Sequence, residues 1–339
     1  MKTKIIIIII LVLVVGFTGW RIWKSFHNES DTQVTEQKPK EPSINGNLVD
    51  PEKAKLRPIA VVVENHSDSR PQSGLTDAEI VYETLAEGGI TRFLAIFQTR
   101  EPKEIGPVRS ARPYFNFLAN MWSAPIAHAG GSKQALSELS SNVYKNLFDI
   151  NESFYGDYFY RDTDKPAPHN LYTTVIDVHK LLQKKDESSW EKMNLWDTQN
   201  TPTDQLALET TKITIPFSNA SYEVIYEYDG STNSYKRLVK GVNSIDQNND
   251  SQISPKNILV MLADISLNAN DDLGTQTIKL NGSGPCFVFK AGKFQQCKWE
   301  YKDGRHTYVD TDGNAIKLET GQTWIEIFPR DRQNDIIWK

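Results

Sequence analysis

Residues Ile5 to Trp20 form an unbroken apolar run of 16 residues behind Met1-Lys2-Thr3-Lys4. As a helix this run is ~24 Å long at ~1.5 Å per residue, against a hydrocarbon layer of ~30 Å. Arg21 can snorkel, so Ile22 and Trp23 extend the span, and Trp20 and Trp23 suit an interfacial belt. Six consecutive isoleucines have no polar face, which argues against a helix packed in a soluble core. No Ala-x-Ala-like cleavage site follows the run, and no cysteine lies near it to accept a lipid. Residues 1–24 are therefore expected to be an uncleaved transmembrane signal anchor, with the amino terminus inside and the rest of the chain extracytoplasmic.

Residues 25–56 are rich in Glu, Lys, Gln, Ser, Asn and Pro and nearly lack aromatics, the composition of a disordered stalk. The whole chain of 339 residues is 39% hydrophobic and 24% charged, enough for a packed core in about two domains. Its net charge of −5 argues against nucleic acid as a partner. Two cysteines, Cys286 and Cys297, are too few for a disulfide scaffold or a four-cysteine zinc site.

An α+β fold is expected. Residues 57–193 read as a mixed α/β domain, with strands at Ile59–Val63, Ile80–Ala86, Thr91–Gln98 and Pro125–Ala129. Its helices are expected from Pro113 to Trp122, over Lys133–Leu139 behind a Ser132 cap, and over Thr174–Lys184. Residues 194–210 read as a linker. Residues 211–339 read as a mostly antiparallel, β-rich domain, with turn signals at Asp229-Gly230, Ala291-Gly292 and Asp303-Gly304 among others. Across the Ala291-Gly292 turn, Cys286 and Cys297 fall nearly opposite each other. A disulfide between them suits an extracytoplasmic location, although hairpin register can slip by one.

Three polar patches carry the chemistry, all in the first part. Glu87-Gly88-Gly89-Ile90-Thr91-Arg92 goes with Gly106–Arg112, where Arg109 falls at a strand end and Arg112 at a helix start. Guanidinium forks and free helix-start N–H groups both favour an anion. His128-Ala129-Gly130-Gly131-Ser132-Lys133 is a strand–glycine–cap pattern that lacks P-loop spacing, so no nucleotide is implied. Arg161-Asp162 precedes Lys165-Pro166-Ala167-Pro168-His169-Asn170, whose prolines stiffen the loop that carries His169. Singly, each patch reads as turns and surface bridges. Together, Arg92, Arg109, Arg112, His128, Arg161 and His169 make a cationic set in an acidic chain. Ligand-binding candidates are Arg92, Arg109, Arg112, Ser132, Arg161 and Asn170; catalytic candidates are His128 and His169.

No metal ligand set and no cofactor is expected. Asp246–Gln252 imitates the start of a calcium loop, but Ser251 and Asn257 stand where glycine and glutamate belong, so it reads as a solvated loop. Neither HExxH nor GxSxG occurs.

Read in order, Asn65, Arg70–Leu75, Val81-Tyr82-Glu83, Glu87–Arg92, Gly106–Arg112, His128–Ser132, Pro168–Tyr172 and Gly321–Pro329 resemble the YerB-like family of bacterial envelope proteins. The resemblance covers Leu56 to Trp338. It implies an N- and a C-terminal domain of unknown function and a cell-envelope location, and it supplies no reaction. Members are commonly lipoproteins, from which this chain departs by its apolar anchor. A fainter pattern analogy to LytR-CpsA-Psr phosphotransferases lacks their Pro-Arg-Asp-Thr signature. The expected function is binding of an anionic cell-envelope ligand or a wall-assembly partner. An envelope enzyme using an Arg/His pocket and a structural interaction protein are the alternatives.

Overall fold

The computed structural model describes residues 17–25, 39–141, 143–145, 147–193, 196–201, 210–268 and 274–339. The chain divides into two compact units, Met1–Pro39 and Lys40–Lys339. In the first, residues 17–25 are helical. The expected anchor falls mostly on residues outside those described, and no described helix is long and apolar enough to cross a membrane.

In the second unit, order begins earlier than composition suggests. Glu41–Pro42 pairs with Leu48–Val49, and a helical turn covers Pro51–Ala54. Ser43 and Asn45 are buried, and the Ile44 N–H donates to the Gln98 side chain at 2.9 Å. The expected stalk is thus corrected from residue 41 onward: polar residues there find partners on the folded body instead of water.

The first strands follow the sequence closely: β1 (Ile59–Glu64), β2 (Ile80–Leu85) and β3 (Thr91–Phe97), all buried throughout. Helix α1 (Pro113–Met121) starts on a proline, whose missing N–H costs nothing in a first turn. β4 (Ile126–His128) leads to α2 (Lys133–Ser140), where the Ser132 hydroxyl accepts the Ala135 N–H. β5 (Asp149–Asn151) and α3 (Val175–Lys184, capped by Thr174) complete this part. The later strands are β6 (Lys212–Pro216), β7 (Glu223–Asp229), β8 (Ser234–Val239), β9 (Val242–Asn243), β10 (Asn257–Ala263), β11 (Ser283–Lys290), β12 (Lys293–Lys302), β13 (Arg305–Val309), β14 (Thr323–Pro329) and β15 (Ile337–Trp338).

These strands do not form two separate domains. One ten-stranded sheet runs β13-β12-β11-β10-β14-β2-β3-β1-β4-β5, taking strands from both sides of residues 194–210. The later strands pair mostly antiparallel, as expected; the departure is that they continue the sheet of the first part. β10 pairs in parallel with β14, and β14 in parallel with β2. The physical reason is visible in burial: β10 and β14 are buried at every position, as strands covered on both faces must be.

A second sheet, β9-β8-β7-β6-β15, packs with α3 on one face of the large sheet. Val81, Phe93 and Trp324 meet Ile215, Val224 and Tyr226 there. α1 covers the other face, where Phe115 and Leu118 join Val62, Leu94 and Ile325. The two halves are also locked by charge. Arg237 of β8 reaches Glu83 of β2 at 2.6 Å, both fully buried, with the guanidinium 4.8 Å from the centre of the Trp324 ring.

Of two further details, the first differs from expectation and the second agrees with it. Asp246 is buried, not solvated: its carboxylate accepts the Gly74 and Thr76 N–H groups and the Thr76 hydroxyl, at 2.8–3.0 Å. Cys286 and Cys297 face each other across the β11–β12 hairpin and are joined by a disulfide.

Candidate functional site

β1, β2 and β4 all run in the same direction, since β2 and β1 are each antiparallel to β3 and β4 is parallel to β1. Their carboxyl ends therefore lie along one edge of the sheet. The chain leaves β1 toward β2 on one side and comes back for β4 on the other. Open α/β sheets bind ligands at such a reversal. Beyond Val61 the strands β1 and β4 part, and Pro107–Ala111 threads between them. The Arg109 N–H donates to the Val62 carbonyl, and the Ala129 N–H to the Arg109 carbonyl.

Gly106 makes this threading possible. Its φ is +157°, and a Cβ there would stand 2.8 Å from the Leu171 carbonyl oxygen and 2.7 Å from the Tyr172 ring. The close approach lets Ile105 bridge Thr173, while the Val108 N–H donates to the Leu171 carbonyl. It draws the arginine segment against the loop that carries His169.

Two charge clusters result. In the first, Glu64, at the carboxyl end of β1, holds Arg109 Nε at 3.0 Å on one oxygen and His169 Nδ1 at 2.9 Å on the other. The His169 ring stacks on His66, with centres 5.0 Å apart. Next to Glu64, Asn65 binds the Glu83 and Thr91 side chains through its amide nitrogen. Its carbonyl oxygen accepts from Arg70 and Gln72. Arg70 also covers the Tyr222 ring, which reaches in from the turn before β7.

In the second cluster, Glu87 carries two guanidiniums. Arg92 reaches it at 2.9 Å, and Arg112 pairs with both of its oxygens. Burial pushes the Glu87 carboxyl up, and Arg92 and Arg112 more than offset this, so it lies below the ordinary carboxylate value. Burial and the Arg92 charge lower Arg112 in turn. Arg112 is the N-cap residue of α1. Ala111 bridges Gly131, just before α2, so the amino ends of both helices stand at this cluster. The clusters adjoin, because Glu64 and Arg92 are directly opposite in the β1–β3 pairing.

The remaining candidates sit apart. His128 is fully buried, and both its ring nitrogens are occupied, by Asp149 Oδ1 at 2.7 Å and the Gly130 carbonyl at 2.6 Å. It is left with no nitrogen for a substrate and acts as a strut between β4 and β5. Arg161 donates to Asn170 Oδ1 at 3.0 Å and pairs with Glu152, while the Asn170 amide holds the Asp162 and Lys165 carbonyls. Ser132 serves as a helix cap. Glu64, His66, Asp68 and Tyr222 were not among the sequence candidates. The available signal was a carboxylate closing an otherwise apolar strand.

Two family models match this chain, both described as protein of unknown function (DUF3048): the N-terminal domain over residues 45–190 and the C-terminal domain over residues 213–325. A Bacillus subtilis (strain 168) protein named "Putative lipoprotein YerB" is 36% identical over 279 residues, covering 80% of this chain and 81% of that protein. The chain belongs to the DUF3048 family of YerB-like proteins. The crystal structure of YerB from Bacillus subtilis superposes with a TM-score of 0.79 at 33% identity, over 89% of this chain and 100% of the crystallised one. All seven of the motif segments between Asn65 and Tyr172 lie inside the first family match, and β10 and β11 inside the second.

Proposed function

We propose that this YerB-like chain is a membrane-attached, extracytoplasmic protein that binds an anionic group of a cell-envelope ligand at the carboxyl ends of β1, β2 and β4. The observation that carries this reading is the imbalance at Glu87. Two buried guanidiniums share one carboxylate beside two helix amino ends, so the cluster keeps one positive charge in reach of a phosphate or carboxylate. Arg109 lies one strand away and extends the same edge.

Location is supported from two sides. The relative is named as a lipoprotein, and the disulfide suits an oxidising compartment. The two cysteines are bonded to each other, so neither carries a lipid, and attachment falls to the apolar run Ile5–Trp20.

An envelope enzyme is the second reading. It is favoured by the Glu64–His169 hydrogen bond, in which a carboxylate orients an imidazole as in general-base dyads. The anion reading, common to both, is tested with a non-hydrolysable anion. Full-length protein in detergent, titrated with methylene diphosphonate by calorimetry, is expected to bind it saturably, and Arg112→Lys to weaken binding by losing the bidentate fork. Absence of binding in folded wild type overturns the anion reading.

A further inference from the structure

His66 and Asp68 flank Ser67 at a one-turn 3-10 helix, Ser67–Ser69, with His66 as its N-cap. This turn lets His66 Nδ1 accept the Asp68 N–H at 3.3 Å, a bond that a metal ion on Nδ1 would replace, and sets Nδ1 3.7 Å from Asp68 Oδ2. That is too long for a hydrogen bond. It is close to the spacing of two ligand atoms, each ~2.0–2.2 Å from one tetrahedral ion. Asp68 Oδ1 is held by the Ser67 hydroxyl at 3.0 Å, which leaves Oδ2 as the oxygen on the histidine side.

His169 completes the set from the other side of the chain. One ligand atom from each of His66, Asp68 and His169 lies within 4.8 Å of the other two. The two imidazole centres are 5.0 Å apart.

A second, independent feature is the fixing of His169. Its Nδ1 faces the Glu64 carboxylate, and Arg109 pins the other oxygen of that carboxylate. Nε2 remains as the nitrogen with a free lone pair. A carboxylate behind a histidine is the arrangement that orients metal-bound imidazoles and raises their basicity. Glu64 is buried, so its charge acts in a weakly screened setting.

We infer that His66, Asp68 and His169 form a divalent transition-metal site, with Glu64 as the supporting carboxylate behind His169. Two imidazole nitrogens and one carboxylate oxygen suit Zn²⁺ or its neighbours over Mg²⁺ or Ca²⁺. Three protein ligands leave a coordination position open toward solvent, since His66 and Asp68 are partly exposed. That position would take an oxygen of the same anionic ligand proposed above. Metal uptake itself needs no such ligand.

The test is titration of untagged, metal-stripped full-length protein with Zn²⁺ by calorimetry, and with Co²⁺ by visible absorption. One equivalent is expected to bind, with a tetrahedral Co²⁺ spectrum. Asp68→Asn and His66→Gln alter exposed side chains, and each is expected to lower affinity at least tenfold without changing thermal unfolding of the stripped protein. Glu64→Gln is expected to lower it about 10–100-fold. Absence of stoichiometric uptake in wild type, or uptake that Asp68→Asn and His66→Gln leave unchanged, overturns the inference. Diphosphonate binding measured in chelator keeps the two proposals apart. If the anion binds and the metal does not, the metal site alone is wrong; if the metal binds and the anion does not, the anion reading alone is wrong.

Discussion

Glu64 and Arg92 stand directly opposite each other in the β1–β3 ladder, yet each is neutralised elsewhere, Glu64 by Arg109 and His169 and Arg92 by Glu87. Two oppositely charged residues in register commonly satisfy each other. Here each is drawn toward its own cluster, so two charged groups sit side by side at one sheet edge instead of cancelling.

The Glu87 cluster gives the first prediction. Glu87→Gln removes the one negative charge shared by Arg92 and Arg112. It is expected to cost about 3 kcal/mol at neutral pH, because two buried guanidiniums then face each other. The wild-type Glu87 carboxyl lies low in the folded state, so its contribution is present above the ordinary carboxylate value and fades as pH falls through the lower, folded one. Urea unfolding of both proteins from pH 7 down to pH 3 should show the gap between them closing.

Glu326 predicts the opposite pH trend. Burial and the nearby Glu83 carboxylate push its carboxyl well up, and the Tyr226 hydroxyl donates to it. A raised acid holds its proton in the folded state and loses it in the unfolded one. Its contribution to stability is therefore complete below the unfolded value and declines as pH rises, by up to about 1.4 kcal/mol per pH unit. Glu326→Gln, a permanently neutral isostere, is expected to match wild type near pH 4 and to be more stable at pH 7. Equal stability at both values would show that Glu326 is ionised in the fold.

The hairpin disulfide closes a short loop, Cys286 and Cys297 being 11 positions apart in the chain. Reduction is expected to lower stability by roughly 2–3 kcal/mol. Paired denaturant curves with and without reductant measure this directly.

The sequence was informative where local chemistry decides. Pro113, Ser132 and Thr174 mark the three helix starts, and Ala291-Gly292 sets the hairpin that pairs the cysteines. It was less informative where distance in the chain separates partners. Glu64 meets a histidine 105 positions away, and Glu83 an arginine 154 positions away. Nothing local in either neighbourhood signals the other. Sheet continuity was partly readable: Ile258–Ala263 is an apolar run with no alternation, which points to a strand buried on both faces, not to a half-exposed antiparallel one. Arg305–Val309 escaped notice because three of its five residues are charged or titratable, although His306 and Tyr308 are buried. Of the cationic set, Arg92 with Arg112 and Arg109 with His169 come together in adjoining clusters. His128 and Arg161 are committed to their own carboxylates.

Anion recognition is the role proposed for the cationic edge at Glu87 and Glu64. The most direct measurement is the change in diphosphonate affinity of full-length protein between Arg112→Lys and wild type, with thermal unfolding recorded on the same samples. Wild type is expected to bind saturably, and the variant to lose at least tenfold in affinity while unfolding at nearly the same temperature. Equal binding by the two proteins, or none by folded wild type, would contradict that role and leave these arginines as bridges within the fold.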